Sequence, residues 1–560
     1  MILFEGLQCP QDNCIKEYFP DINKYLEKDR IRCIGYYRHK GKMVFILPKS
    51  FAGISQDKKH PLFLENVDNT KQVKEYSFLE KDVTKKQVTE LSLLVYGTID
   101  KYRNRMIGTR VDKPVQSDVI ATSKTDSQPT TLIDHVIALR NFYERNKNLV
   151  LMIYKESNRG FNRINWGKTV RNKNPLITKK KDIVYMDVIN EKKHIHDQEE
   201  LMVLYFSTMR YVQQKYGISM PESLYYQLIG DSEFEMLVDN DMVLGRLNGI
   251  KQQYFSDRMR ELWNLVNGFH QELSKDNDTS NQGIGNYQDE YLLATDFDRV
   301  FEDMIDYLIS DSNLMELKTH EDNRRIDHIF IGQSIIDPKS KVYYIGDSKY
   351  YDIDHGIDPI SIAKQYDYAH NIIQMVRDKV NNRSRYEIID KAIANSYYDP
   401  QSHGYTITPN FFIRPMDNPK LDDFKLRFSC MKEINESYQH KGCLFDRSTL
   451  ALLHFEINFL YVLRTYTLED ESERRKAQSI IESEVRSKLL EYIAKKYDIY
   501  ITSKWGDLFN LLPVNLWLGR TFKMKDGFVL AIPKESEEFK PFSNCLQMFE
   551  YVDFKKYIGA

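Results

Sequence analysis

Two short stretches, each ending or beginning at an aspartate, constrain this chain most. Residues 326–331 (IDHIFI) have the β-branched and aromatic content of a strand, with Asp327 near the start and out of phase with the apolar face. Residues 342–349 (VYYIGDSK) read as a second strand that closes on Asp347, Ser348 and Lys349. Side chains alternate across a strand, so Asp347 and Lys349 share one face and Ser348 takes the other. Two carboxylates on neighbouring strands repel unless a cation neutralises them, and such hard oxygen ligands suit magnesium with part of its water shell kept. A phosphodiester is anionic and builds charge as it is hydrolysed, so a cation and a lysine at one place suit phosphodiester chemistry. The lysine can orient or deprotonate a water, or stabilise an oxyanion; the spacing does not choose among these. Two other acid-x-Lys triplets lie nearby. Glu316-Leu317-Lys318 closes a helical stretch, and Asp337-Pro338-Lys339 puts proline in the turn between the strands, so neither presents both side chains from a strand.

Upstream, residues 296–309 (DFDRVFEDMIDYLI) place Phe297, Val300, Phe301, Met304, Ile305 and Leu308 on one helical face, with Glu302 on its edge beside Asp303 and Asp306. The rest of the chain divides at two polar stretches, 117–131 and 274–286, whose Ser, Thr, Asp, Asn and Gly content favours linkers or long loops. Four regions follow: a mixed α/β module over 1–116, an α/β and long-helix region over 132–273, a core over 287–420 and a helical extension over 421–560. Helices are expected over 84–103, 132–146, from Asp197 onward, 243–273, 450–466 and 471–496, and strands over 32–37, 42–47, 406–413 and 528–532. With 42% hydrophobic residues the chain can build cores, and 79 basic against 81 acidic residues exclude a globally basic coat, so any nucleic-acid surface is local. No stretch reaches the roughly 18 apolar residues of a membrane span. The start shows no basic segment followed by an apolar one, and six scattered cysteines make no disulfide framework, so a reducing cytoplasm is the expectation.

The order Glu302 on a helix, Asp327 on a strand, Asp347-x-Lys349 on the next, then a helix bearing Gln365 and Tyr366 (ISIAKQYDYAH) resembles the PD-(D/E)xK nuclease core over about residues 290–415. Ile326 stands where that family usually has proline, a departure that leaves the aspartate in place. The resemblance implies an α/β multidomain protein with a restriction-endonuclease-like core, a mixed sheet flanked by helices. It implies a DNA endonuclease in which Glu302, Asp327 and Asp347 hold Mg2+, with Mn2+ as a possible substitute, Lys349 acts on the attacking water, and Gln365 and Tyr366 help position the lysine, water or substrate. Helix packing is the other use for Gln365 and Tyr366.

Residues 161–197 also resemble the middle region of LlaJI-type restriction endonucleases, McrC-like subunits, chiefly through Asn165-Trp166, Lys168-Thr169-Val170 and Asn174-Pro175-Leu176. That resemblance implies a foreign-DNA defence system, double-stranded DNA as substrate, a separate McrB-like AAA+ GTPase and a cognate methyltransferase as partners. Gly167-Lys168-Thr169 is not the end of a phosphate-binding loop, because Asn162 stands where the earlier glycine belongs. From 154 to 194, eleven lysines and arginines face four acidic residues. Arg163, Trp166, Lys168, Arg171 and Lys173 are the DNA-contact candidates there, against a plain solvated face or docking on an acidic motor surface. His194-Ile195-His196 lacks an evident third metal ligand. A repair or junction nuclease of the same fold and a non-catalytic DNA-binding subunit are the alternative functions.

Overall fold

The computed structural model describes residues 1–8, 13–54, 85–108, 119–124, 130–147, 149, 151–157, 163–281, 289–318, 325–350, 358–383, 386–416, 421, 423–431, 435–436, 442–503, 506, 510–524 and 527–553. The protein is mixed α/β, with several sheets covered by helices. At the N-terminal end, residues 34–39 and 42–47 pair as an antiparallel hairpin in which His39 faces Lys42. The two connecting residues, Lys40 and Gly41, have φ of 47° and 73°. That left-handed pair gives the connection the twist its strands need, and the continuous apolar run of KMVFIL then buries Phe45 and Leu47 in the core shared with the helix Lys85–Gly108 and Val44 and Ile46 in a second core on the other face. The finished five-stranded sheet runs in the order Ile2–Phe4, Lys42–Leu47, Ile34–His39, Glu290–Ala294, Ile120–Thr122.

A second sheet carries the two aspartate strands. Its order is His328–Gln333, Lys341–Ser348, Asn410–Pro415, Ala451–Ile457, Phe428–Cys430, with Asn435–Glu436 also paired to the fourth strand. The first two strands are antiparallel, whereas 341–348, 410–415 and 451–457 are parallel. Parallel strands covered on both faces need apolar runs, and VYYI, FFI and, interrupted by His454 and Glu456, ALLHFEI supply them. The helix Pro359–Val380 crosses between the first two parallel strands, started by Asp358, whose side chain accepts a hydrogen bond from the Ile360 N–H at 3.1 Å. A four-stranded antiparallel sheet, Thr521–Met524, Gly527–Pro533, Tyr497–Thr502 and Glu550–Val552, closes the C-terminal side.

Several expectations change. Part of the polar stretch 117–131 is an edge strand, Ile120–Thr122, because its Ile and Thr pair with Ala294 and Leu292. The helix Asp257–Asn281 runs into the other expected linker. The single helix expected over 243–273 is broken: after Ile250, Tyr254 turns extended and delivers its hydroxyl to Glu199, which itself caps the helix Glu200–Tyr216. Glu199, not Asp197, is that N-cap. Residues 450–466 divide into the strand Ala451–Ile457 and the helix Phe459–Leu468, since Asn458 caps the helix by accepting from the Leu460 N–H at 3.1 Å. The region after 421 therefore carries strands as well as helices, and Phe428–Cys430, Asn435–Glu436 and Ala451–Ile457 belong to the aspartate sheet. Residues 290–294, placed by sequence with the core, pair instead with the N-terminal sheet. Among the described residues, no helix is long and apolar enough to cross a membrane.

Candidate active site

The pairing of the two aspartate strands sets the site. His328 faces Gly346, so one further step of the antiparallel ladder places Asp327, at the bend just before its strand, across from Asp347. On its other side Asp347 lies beside Phe412 of the parallel strand. On the opposite face of the strand, Gly346 leaves room for Phe411 and His328. A Cβ there would stand 2.7 Å from Phe411 Cε2 and 3.4 Å from His328 Cβ. Lys349 follows the strand end, with its N–H bonded to the Ile413 carbonyl at 2.8 Å and its Nζ 2.8 Å from Asp347 Oδ2. Asp347 is nearly buried and its Oδ1 has no hydrogen-bond partner.

Burial, then the neighbouring Asp347 carboxylate, pushes the Asp327 carboxyl up to about 8. Glu302, on the helix Phe297–Ile309, is also raised, first by burial and next by the charge of Asp327, while Arg325 lies 3.9 Å away. Asp327 and Asp347 thus form a close pair with Glu302 acting on one member. Among the described residues, no group of three or more His, Cys, Asp or Glu side chains is arranged to hold a metal ion.

Gln365 lies in the helix Pro359–Val380, fully buried, with neither amide atom hydrogen-bonded. Its main-chain carbonyl accepts from Asn410 Nδ2 at 3.0 Å, and Asn410 faces Ile345 two residues before Asp347. Tyr366 packs against the core. Tyr350 links the site to the N-terminal sheet: its hydroxyl donates to Glu5 Oε2 at 2.8 Å, and its ring stacks among Phe297, Phe301 and Phe459.

One layer behind Asp327 is a group that sequence reading passed over. Lys318, taken as the end of an irrelevant triplet, is buried, ion-paired with Asp306 and hydrogen-bonded to the Asp327 carbonyl. Burial alone would raise the Asp306 carboxyl, but His328 and Lys318 hold it well below the usual carboxylate range. The available signal was that Asp306 follows Glu302 by one helical turn.

The basic candidates belong elsewhere in the chain. Arg163 starts a strand of the three-stranded sheet Met152–Ser157, Asn190–Ile195, Arg163–Ile164, and Trp166, Lys168 and Arg171 lie on the helix Trp166–Asn172 that follows, with Lys173 as its C-cap. Trp166 is 56% exposed and meets Tyr185 edge-on, while Lys168 pairs with Glu156. Thr169 is buried and bonded to Asn165 O, so Gly167-Lys168-Thr169 is the first turn of a capped helix and not a phosphate loop. A cavity of about 220 Å³ lined by Phe142, Tyr205, Phe206 and Tyr226 includes none of the candidate residues.

The fold and site together define a mixed α/β protein with a carboxylate pair and a lysine gathered at the end of a partly parallel sheet. No family model and no curated protein matches the chain. Among solved structures, a chain from the assembly of Thermococcus gammatolerans McrB AAA+ hexamers with bound McrC is similar at 9% identity and a TM-score of 0.29, over 86% of this chain and 99% of that one. That similarity is too low to define a shared fold.

Proposed function

We propose that the chain is a divalent-metal-dependent DNA endonuclease subunit of a restriction system. The observation that carries this reading is the cross-strand pair Asp327 and Asp347, with Lys349 Nζ 2.8 Å from one carboxylate and the other Asp347 oxygen buried without a partner. Two desolvated carboxylates and an unsatisfied oxygen form a donor set that suits a hard cation. Asp327 and Asp347 would hold Mg2+, or Mn2+ in its place, with Glu302 adding negative charge beside Asp327. The bound ion would supply Lewis acidity at a phosphoryl oxygen and lower the pKa of a bound water.

The chain's own residues do the rest. Lys349 is held by its backbone bond to Ile413 and by Asp347, so its ammonium stays beside the carboxylates and can orient a water or balance charge on the phosphate. The buried, unbonded amide of Gln365 is a positioning group for this cluster. Arg163, Trp166, Lys168, Arg171 and Lys173 would contact the DNA backbone.

A separate McrB-like AAA+ GTPase is the proposed driver, and a methyltransferase of the same system would protect host DNA. The motor partnership is favoured by the hairpin Leu176–Ile177 and Ile183–Val184, which exposes all four apolar residues, Ile177 by 72%. Exposed apolar side chains on a basic segment suit a protein partner better than phosphate contact alone.

Plasmid cleavage with Mg2+, GTP and an added motor subunit tests the proposal. Asp347→Ala and Lys349→Ala are each expected to lower cleavage at least about 10²-fold while leaving DNA retention and melting temperature close to wild type. Wild-type cleavage by Asp347→Ala would remove the site from the reaction.

A further inference from the structure

Asp327 is the least supported of the grouped acids by its own strand. It sits at a bend before the edge strand His328–Gln333, whose outer side faces no other strand among the described residues. Its main-chain carbonyl therefore has no ladder partner on that side. Lys318 fills the place from two directions: its Nζ donates to the Asp327 carbonyl at 2.8 Å, and its own carbonyl accepts from the Ile326 N–H at 2.8 Å.

Lys318 is 1% exposed and forms an ion pair with Asp306, which is also 3.4 Å from Nδ1 of the fully buried His328. Asp306 lies one turn beyond Glu302 on the same helix, so the pair links the helix bearing one acid to the backbone of another. The two residues just past the end of this helix continue the attachment. Ser310 Oγ accepts from the Ile329 N–H at 3.2 Å, and Asp311 Oδ2 accepts from the Ile331 N–H at 2.9 Å.

A buried ion pair is a poor source of stability, because desolvating the two charges offsets most of their attraction. Its use here is geometric. An apolar pair of equal volume would fill the space but leave the Asp327 carbonyl without a donor, free to rotate its peptide and turn the carboxylate away from Asp347.

We propose that Lys318 and Asp306 are positioning residues that fix the backbone of Asp327, and through it the carboxylate pair that receives the divalent ion. The inference rests on the metal-dependent reading above. Groups that orient metal ligands in this way commonly change metal affinity by about 10- to 100-fold.

The test uses the full chain. Mn2+ binding is measured by electron paramagnetic resonance in the absence of DNA, and the Mg2+ dependence of plasmid cleavage is measured with the motor subunit and GTP. Lys318→Met, which keeps the aliphatic stem, is expected to weaken Mn2+ binding about tenfold and to raise half-saturating Mg2+ by a similar factor. Cleavage at saturating Mg2+ should stay within about twofold, and Lys318→Arg should restore most of the Mn2+ affinity. Asp306→Asn, which nearly preserves volume, is expected to act in the same direction and serves if Lys318→Met does not fold. Wild-type Mn2+ affinity in either folded variant overturns the positioning role while leaving the nuclease reading standing. A wild-type chain that neither binds Mn2+ nor cleaves overturns the nuclease reading itself, and the inference with it.

Discussion

At the scale of single residues, burial decides which groups are chemically unusual. Asp327 and Glu302 are raised by the cost of charge in a desolvated place, and Asp306 is lowered because His328 and Lys318 outweigh that cost. His270 shows the same physics away from the site. It is buried, its Nε2 is 2.9 Å from Thr208 Oγ1, and burial lowers it to about 3. A histidine depressed in the folded state takes up its proton in the unfolded state first. Its contribution is complete above the ordinary value of about 6.5 and is lost as pH falls toward 3, by about 1.4 kcal/mol per pH unit. Urea unfolding at pH 7.5 and 5.5 should therefore show a smaller loss of stability in His270→Gln than in wild type. Equal losses in the two proteins would show that this ring does not control the acid response.

At the scale of elements, the strand that carries Asp347 packs tightly against its neighbours on the face behind the aspartates, and glycine permits it. Gly346→Ala would set a methyl group against Phe411 and His328, on the face of the sheet away from the aspartate pair. The expected cost is about 1–3 kcal/mol, read as a lower melting temperature, with reduced cleavage even where the variant is folded. An unchanged melting temperature would mean that the Phe411 ring has room to yield. Much of this layer was legible in the residues. The strand 42–47 and the helix 471–496 were read with their observed ends because a short, sharply bounded apolar run and a regular helical spacing mark them. Asp347 and Lys349 could be read as neighbours because side chains two apart on a strand share a face, and their charged groups do lie 2.8 Å apart. Residues 451–457 were misread because a short apolar run with polar interruptions fits either period, and only the neighbouring strands decide. Lys318 was missed because its role depends on a buried contact with residues nine and twelve positions away, which no periodicity encodes.

At the scale of the whole molecule, the boundaries suggested by polar stretches do not coincide with the sheets. The aspartate sheet takes the strand Ala451–Ile457 from beyond residue 421, and this strand pairs with Asn410–Pro415 through six residues. A fragment of residues 287–420 would expose the edge of Asn410–Pro415 and lose the apolar cover of the helix Phe459–Leu468. It is expected to be insoluble or unfolded by circular dichroism, whereas an extension to residue 503 restores that strand and helix. A cooperatively melting 287–420 fragment would refute this division.

The strand Glu290–Ala294 in the N-terminal sheet is followed, after only Thr295 and Asp296, by the helix that presents Glu302. So short a join leaves almost no slack. A displacement of the first sheet would therefore be handed along the chain to the helix that carries Glu302, which ties the position of that acid to a sheet built largely from the other end of the sequence.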